Sequence, residues 1–134
     1  MVHLEILSIS IDKKSLGQIE QVQKRLGFKS RSKMLRTAIL SMLSDYEGLE
    51  ALKGDVECVF VITYKESEKN HVSDVLHKFE DTIRTELHQH RSGTCIDILD
   101  ISTGAQRIRE FYNILKKKKC IYSVTYTVIN ESGR

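Results

Sequence analysis

Cysteine is scarce in this chain of 134 residues, and long apolar runs are missing. The longest apolar stretches fall far below the roughly 20 residues that a membrane-spanning helix needs. The first residues also lack the basic start, apolar stretch and cleavage pattern of a signal peptide. The three cysteines, Cys58, Cys95 and Cys120, form an odd set without framework spacing, which favours reduced thiols over disulfides. We therefore expect a cytoplasmic protein without membrane contact, in which an important cysteine is a ligand or a nucleophile.

The composition is that of a folded protein, with 40% hydrophobic and 29% charged residues. The net charge of +3 is unevenly distributed along the chain. Residues 1–44 hold eight Lys and Arg against three acidic residues, whereas the remainder holds thirteen basic and fifteen acidic residues. This asymmetry predicts a small unit that binds a polyanion, attached to a mildly acidic body of a different kind.

The basic segment has the pattern of one strand followed by two helices. Residues 5–11, "EILSISI", alternate strictly between the two faces of a strand. The next stretch carries an apolar helical stripe that Gly27 ends. Ser30 or Ser32 can then cap a second helix with a broad apolar face, which we expect Gly48 to end.

A single strand with two short helices leaves strand edges unpaired and buries little apolar surface. The economical solution is a dimer in which two strands pair as an antiparallel ribbon above four helices. Such a ribbon fits the major groove of DNA, and a helix N-terminus favours a phosphate. An ordinary dimerisation strand with solvated serines is the alternative interpretation. The candidate DNA-binding residues are Ile6, Ser8 and Ser10 on the ribbon and Ser30, Arg31 and Ser32 at the helix start.

The rest of the chain predicts strand, helix, strand, strand, helix, strand. This βαββαβ order is that of a ferredoxin-like, ACT-like regulatory domain. We expect an α+β protein with a DNA-binding domain at residues 1–48 and a ligand-binding domain at 56–134, joined by a polar connector at 45–56. Residues 91–94, "RSGT", are predicted to turn between the two middle strands, with Gly93 at positive φ.

Metal-binding residue types converge near that turn. In a strand, His88 and His90 point to the same face, and Cys95 begins the strand across the turn. His77 lies upstream on the preceding helix. Three imidazoles and one thiol suit Ni(II), Cu(II) or Zn(II) rather than Mg or Ca. A polar strand face without metal is the alternative interpretation.

These residues resemble the nickel-responsive ribbon-helix-helix transcriptional regulators, the NikR family. The resemblance is carried by the N-terminal strand with "RSKMLRTAIL", by His77 and Asp81 followed by "LHQH", and by Cys95 with an acidic residue two positions on. The closing "IYSVTYTV" extends it to almost the whole chain. The resemblance implies a homotetramer, a dimer of dimers, whose central domains bind Ni(II) in a planar site between subunits and whose dimeric heads bind a two-fold symmetric DNA operator.

Carried over by residue, the resemblance implies His77, His88, His90 and Cys95 as nickel ligands, with His88 contributed by the neighbouring subunit. Asp97 would support the ligands. Ile6 stands where the family uses a base-reading arginine. Lys33 and Thr37 stand where members often have acidic residues that hold a second cation between the domains. Either an ammonium takes the place of that cation or the two domains are coupled differently.

The function that we predict is metal-dependent transcriptional repression, without catalysis. A regulator of the same architecture that senses copper, cobalt, zinc or an organic ligand is the nearest alternative. A thiol redox enzyme that uses Cys95 as a nucleophile is a more remote one, because no orienting carboxylate or oxyanion pocket is apparent in the sequence.

Overall fold

The structure, a computed structural model, describes residues 3–132 and divides into two compact units, Met1–Glu47 and Gly48–Arg134. The helices are α1 (Lys13–Leu26), α2 (Arg31–Glu50), α3 (Lys69–Lys78) and α4 (Ala105–Lys117). The strands are β1 (Asp55–Lys65), β2 (Ile83–Arg91), β3 (Thr94–Gly104) and β4 (Ile121–Glu131). Short 3-10 turns, Glu66–Glu68 and Glu80–Thr82, precede α3 and β2. Between residues 3 and 132, no helix is long and apolar enough to cross a membrane.

Helix α1 begins and ends where its capping residues predict. The Asp12 carboxylate accepts hydrogen bonds from the backbone N–H of Ser15 at 2.8 Å and from its hydroxyl at 2.7 Å, and these bonds lower the pKa of Asp12. At the other end, Gly27 adopts a φ of 73°, and the N–H of Phe28 donates to the carbonyl of Gln23 at 3.1 Å. The left-handed glycine confirms the predicted helix end.

Helix α2 is capped by Ser30, whose hydroxyl accepts from the Lys33 N–H at 3.1 Å. The helix then runs through Gly48 to Glu50, so the prediction that Gly48 ends it is wrong, and the predicted connector at 45–56 is helical as far as Glu50. The reason is tertiary packing. Leu49 and Leu52 are both buried in the apolar core of the second unit, and their burial offsets the roughly 1 kcal/mol that glycine costs inside a helix.

The predicted N-terminal strand lies in a segment without assigned secondary structure, residues 3–12. Its apolar side chains are exposed on both faces, Ile6 at 95% and Leu7 at 79%. A strand ladder needs a second strand as hydrogen-bonding partner, and one copy of this segment has none among the described residues. The paired ribbon therefore stays a prediction.

The second unit is a four-stranded antiparallel sheet in the order β2-β3-β1-β4. Alternate residues of β1 and β3, including Phe60, Ile62 and Leu99, share one apolar core with Val72 of α3 and Phe111 of α4. Both helices therefore cover the same face of the sheet. Helix α3 connects β1 to β2 and α4 connects β3 to β4, which confirms the predicted ferredoxin-like order.

A two-residue turn sets the register of the β2–β3 hairpin. Ser92 and Gly93 have φ values of 53° and 81°, as a type I′ turn requires, and the predicted positive φ of Gly93 is confirmed. The turn brings His90 opposite Cys95 and His88 opposite Asp97. The positions of these four side chains are therefore fixed by local backbone geometry.

Candidate metal centre

The β2–β3 hairpin holds three of the candidate ligands on one face. Residues directly opposite each other in an antiparallel pair project to the same side of the sheet. His90 pairs with Cys95, and His88 pairs with Asp97. Because Cys95 and Asp97 are buried beneath the helices, both imidazoles rise on the helix-covered side. Strand β2 is the edge strand of the sheet, so this side stays accessible at His88 and His90.

A buried carboxylate orients His88. Asp97 is only 1% exposed, and its Oδ2 accepts a 2.8 Å hydrogen bond from the Tyr64 hydroxyl. Its Oδ1 accepts from Nδ1 of His88. Burial, followed by the hydrogen bond to Asp97, raises the pKa of Tyr64, so the phenol keeps its proton and remains a donor. A proton held on Nδ1 of His88 leaves Nε2 with the lone pair that a metal would take.

The other two candidate histidines also turn Nδ1 towards a carboxylate. His77 Nδ1 lies 3.1 Å from Oε2 of Glu80. His90 Nδ1 lies 3.8 Å from Oε1 of Glu66, which is within ion-pair range but beyond a normal hydrogen bond. A carboxylate behind an imidazole fixes the ring and raises the basicity of the opposite nitrogen, as is common for metal-ligating histidines.

Cys95 is a fully buried thiol. Burial raises its pKa, and the charges of Glu66 and Asp97 raise it further, while Lys69 acts in the opposite direction. The thiol is therefore protonated at neutral pH, and a metal would have to displace that proton in order to bind. Imidazole nitrogen and thiol sulfur are together the donors that Ni(II), Cu(II) and Zn(II) prefer, and they are poor donors for Mg(II) or Ca(II).

One chain does not assemble all four candidates. Across residues 3–132, no three His, Cys, Asp or Glu side chains are grouped closely enough to hold a metal ion. His77 is 77% exposed on the last turn of α3. It lines, with His88 and Asp97, a cavity of about 610 Å³ between α3 and β2. The hairpin thus holds three of the four candidate ligands, and His77 lies apart from them on another element.

Sequence reasoning identified Asp97 as a supporting residue but missed Tyr64, Glu66 and Glu80. Tyr64 lies on β1, and its contact with Asp97 depends on the β1–β3 pairing. Glu80 could have been found, because it follows His77 by three residues, in the 3-10 turn directly after the helix. The spacing of Glu66 from His90 carries no comparable signal.

The candidate DNA-binding residues lie in the first unit. Ile6, Ser8 and Ser10 are exposed in the segment that precedes α1. Ser30 caps α2, and Nη1 of Arg31 lies 3.8 Å from a carboxylate oxygen of Glu20, with both side chains about half exposed. Ser32 is exposed in the first turn of α2.

The two candidate interdomain residues are Lys33 and Thr37, on successive turns of α2. The Thr37 hydroxyl donates to the backbone carbonyl of Lys33 at 2.9 Å. This bond occupies the threonine hydroxyl within its own helix. Separately, the Lys33 ammonium takes part in none of the ion pairs found among residues 3–132.

The second unit is a ferredoxin-like domain with imidazole and thiol side chains along one hairpin, and a small basic helical unit precedes it. Residues 54–129 match the family model described as the NikR C-terminal nickel-binding domain. The chain belongs to the NikR family, as its sequence resemblance predicts.

Relatives along the whole chain agree with this family. A protein of Methanococcus aeolicus, named "Putative nickel-responsive regulator", is 26% identical over 99% of this chain and 97% of its own length. A protein of the same name from Methanocaldococcus jannaschii is 26% identical over 100% of this chain and 98% of its own length. Among solved structures, an uncharacterised protein from Thermotoga maritima has a TM-score of 0.53 at 17% identity, covering 57% of this chain and 100% of that one. That likeness shows the fold alone.

Replacing Tyr64 by phenylalanine tests whether its hydroxyl supports the buried carboxylate. Tyr64→Phe removes the only described donor to Oδ2 of Asp97, and an unsatisfied buried acceptor costs about 1–3 kcal/mol. We expect the free energy of unfolding of the metal-free protein to fall by that amount in urea titrations. Tyr122→Phe is the matched control, because Tyr122 is 61% exposed. Equal stability of the two variants would show that the Tyr64 hydroxyl does not hold Asp97.

Proposed function

We propose that this protein is a nickel-responsive transcriptional repressor that acts in the cytoplasm and controls genes of metal uptake or homeostasis. The observation that carries the proposal is the hairpin site. His88 is oriented by buried Asp97, next to His90 and Cys95, inside the segment that matches the nickel-binding domain of the family. No step in this function requires catalysis.

We infer that His88, His90 and Cys95 of one subunit bind the metal together with His77 of a neighbour. The resemblance had suggested His88 as the donated ligand. Residues two apart on a strand are separated by roughly 7 Å, so if His88 alone served the neighbour, two metal sites would crowd one hairpin. His77 projects from a separate helix and is 77% exposed, which favours it as the ligand that reaches another subunit.

The donor chemistry suits nickel, and the match to the family's nickel-binding domain favours nickel over the other ions that such donors hold. A bound Ni(II) would supply a positively charged centre that ties two subunits together at the hairpin. The side chains of this protein would prepare the ligands for the ion. Asp97 fixes the ring of His88, Glu80 lies behind His77, and Cys95 would release its proton. Copper, cobalt and zinc share these donor preferences, so a regulator of the same build that senses one of them is the nearest alternative.

The N-terminal unit is proposed to bind double-stranded DNA as a dimer. The exposed apolar residues of segment 3–12 alternate with serines, and pairing with the same segment of a second copy would bury one apolar face. The opposite face would then present Ile6, Ser8 and Ser10 to the major groove. The start of α2, with Arg31 and basic residues nearby, would meet the phosphate backbone.

The proposed regulation is a shift in population rather than a chemical change. Two DNA-binding dimers are joined through a tetramer of the second units. Ligands shared between subunits favour the arrangement in which both dimers engage one two-fold symmetric operator. Engagement of the first dimer raises the effective concentration of the second, so a modest ordering changes the affinity for DNA by orders of magnitude.

The structure argues against the alternative of a thiol redox enzyme. A nucleophilic cysteine needs an exposed thiolate with a lowered pKa, whereas Cys95 is fully buried and its pKa is raised by burial and by neighbouring carboxylates. The relatives described above are also named as regulators. Cys95 is therefore better suited to be a metal ligand than a nucleophile.

Replacing Cys95 by alanine tests the ligand set. Cys95→Ala should abolish tight nickel binding and nickel-dependent DNA binding, because the only thiol on the hairpin is lost. The sulfur-to-metal charge-transfer absorption should vanish as well, while the oligomeric state is preserved. Cys120→Ala, which changes a partly exposed thiol, is the control and should behave as the wild type. Wild-type nickel affinity in Cys95→Ala would show that the hairpin is not the nickel site.

The same titrations should depend on pH. The raised pKa of Cys95 keeps its proton in place at neutral pH, and the imidazoles must be neutral to bind. Nickel affinity should therefore increase as the pH rises, because the Cys95 proton becomes easier to displace. A flat response would contradict a thiol-and-imidazole ligand set.

Two substitutions separate phosphate contacts from base contacts. Arg31→Ala should weaken binding to all DNA sequences about equally and flatten the salt dependence, because a phosphate contact is lost. Ser10→Ala should instead change the discrimination between sequences, measured by selection from a randomised duplex pool. Lys53→Ala, in the loop before β1, is the charge control for Arg31. If both Arg31→Ala and Ser10→Ala altered stability alone, the N-terminal segment would be a dimerisation element only.

A further inference from the structure

Arg107 of α4 makes three contacts with the segment that carries His77. Its Nη1 donates to Oδ2 of Asp81 at 2.6 Å, and its Nη2 donates to the backbone carbonyl of Lys78 at 3.3 Å. Its guanidinium carbon lies 5.1 Å from the centre of the Phe79 ring. The planar fork of arginine makes these contacts at once, which the single ammonium of a lysine does not.

These contacts converge where α3 ends. Helix α3 stops at Lys78, and the 3-10 turn Glu80–Thr82 leads into β2. The terminal carbonyls of a helix have no partner within the helix, and Arg107 supplies one for Lys78 from another element. His77 lies in this last turn, and Glu80, which faces its Nδ1, lies in the 3-10 turn that Asp81 shares.

The segment has a separate anchor in the core. Phe79 is buried and stacks edge-on against Phe111, with ring centres 5.0 Å apart. Thr82, also buried, donates through its hydroxyl to the Phe79 carbonyl at 2.6 Å. Because these contacts hold the segment to the domain, the half-exposed ion pair between Arg107 and Asp81 contributes little to global stability. What it can set is the direction in which the helix end projects.

We propose that Arg107 is a positioning residue for the metal ligand His77, acting through the C-terminal end of α3. This inference rests on the proposed function, in which His77 completes a metal site with a neighbouring subunit. Ligands on the hairpin are fixed by strand register, but His77 is not. A ligand on a helix end needs its own support, and Arg107 supplies the polar contacts that link this end to α4, beside the apolar packing of Phe79 on Phe111. The Arg107 hydrogen bond also keeps the pKa of Asp81 below its usual range, so the pair stays charged at neutral pH.

A double-mutant cycle in the full-length protein tests the proposal. Nickel affinity is measured by chelator competition for wild type, Arg107→Gln, His77→Ala and the double variant. Loss of a residue that orients a ligand typically lowers metal affinity about 10–100-fold, and we expect a decrease near the lower end for Arg107→Gln. In the His77→Ala background, Arg107→Gln should cause no further loss, because the ligand that it positions is gone.

Two further measurements separate positioning from folding. Arg109→Gln is the matched control, since Arg109 lies on the same helix but donates to the carbonyl of Leu52 at 2.9 Å, and it should keep wild-type affinity. In the metal-free protein, amide hydrogen exchange at Phe79 and Thr82 should be faster in Arg107→Gln, while the thermal midpoint is unchanged. Arg107→Lys, which can keep one contact with Asp81, should recover part of the lost affinity.

Three outcomes would overturn the proposal, and they are distinguishable. If Arg107→Gln kept wild-type nickel affinity while His77→Ala lost affinity, Arg107 would have no positioning role and the proposed ligand set would stand. Equal losses from Arg107→Gln in both backgrounds would make its effect a general one on the fold. Wild-type affinity in His77→Ala would remove His77 as a ligand, and the role of Arg107 with it.

Discussion

The register of the β2–β3 hairpin is the constraint on which the rest of the site depends. The turn at Ser92 and Gly93, with both residues at positive φ, brings His90 opposite Cys95 and His88 opposite Asp97. A slip by one residue would move every side chain of a strand to the opposite face of the sheet. Imidazoles and thiol would then lie on different sides, and the partial ligand set would no longer exist.

The buried carboxylate of Asp97 turns this register into an oriented site. Burying a charged group is unfavourable unless hydrogen bonds satisfy it, and Asp97 is satisfied by Tyr64 from β1 and His88 from β2. The three residues lie on three adjacent strands, so the network links the central strand of the sheet to its edge. The same contact that makes burial of Asp97 tolerable fixes the ring of His88. One interaction therefore contributes to the stability of the domain and orients the candidate ligand His88.

Much of the fold could be predicted from sequence because its signals are local. Alternation in the strands, the glycines at 27 and 93, and the apolar stripes of the helices act within a few residues of one another. Gly48 misled the prediction because burial of Leu49 and Leu52 in the second unit outweighs the local preference of glycine. The proposed DNA-binding ribbon is a different case, since its strand would need a second chain to pair with.

The candidate site could be predicted only where its signals are also local. His88, His90 and Cys95 are recognisable because strand periodicity brings them to one face. Their supports are not, since the Tyr64–Asp97 and Arg107–Asp81 contacts join residues 33 and 26 positions apart. The proposed donation of His77 to a neighbouring subunit rests on the separation between this helix-borne residue and the hairpin, which spacing in the sequence does not reveal.

The most direct test of the central claim is DNA binding as a function of buffered free metal. A duplex selected by the full-length protein from a randomised pool would be titrated with Ni(II), Zn(II), Cu(II) and Co(II), each buffered across its cellular range. Affinity alone does not decide the sensed ion, because nitrogen and sulfur donors bind copper more tightly than nickel. We expect Ni(II) to promote binding of the protein to a two-fold symmetric DNA site. Zn(II) should bind the protein but promote DNA binding poorly. Activation by zinc or copper at far lower free concentration would contradict nickel sensing, and DNA binding that ignores every metal would contradict metal regulation itself.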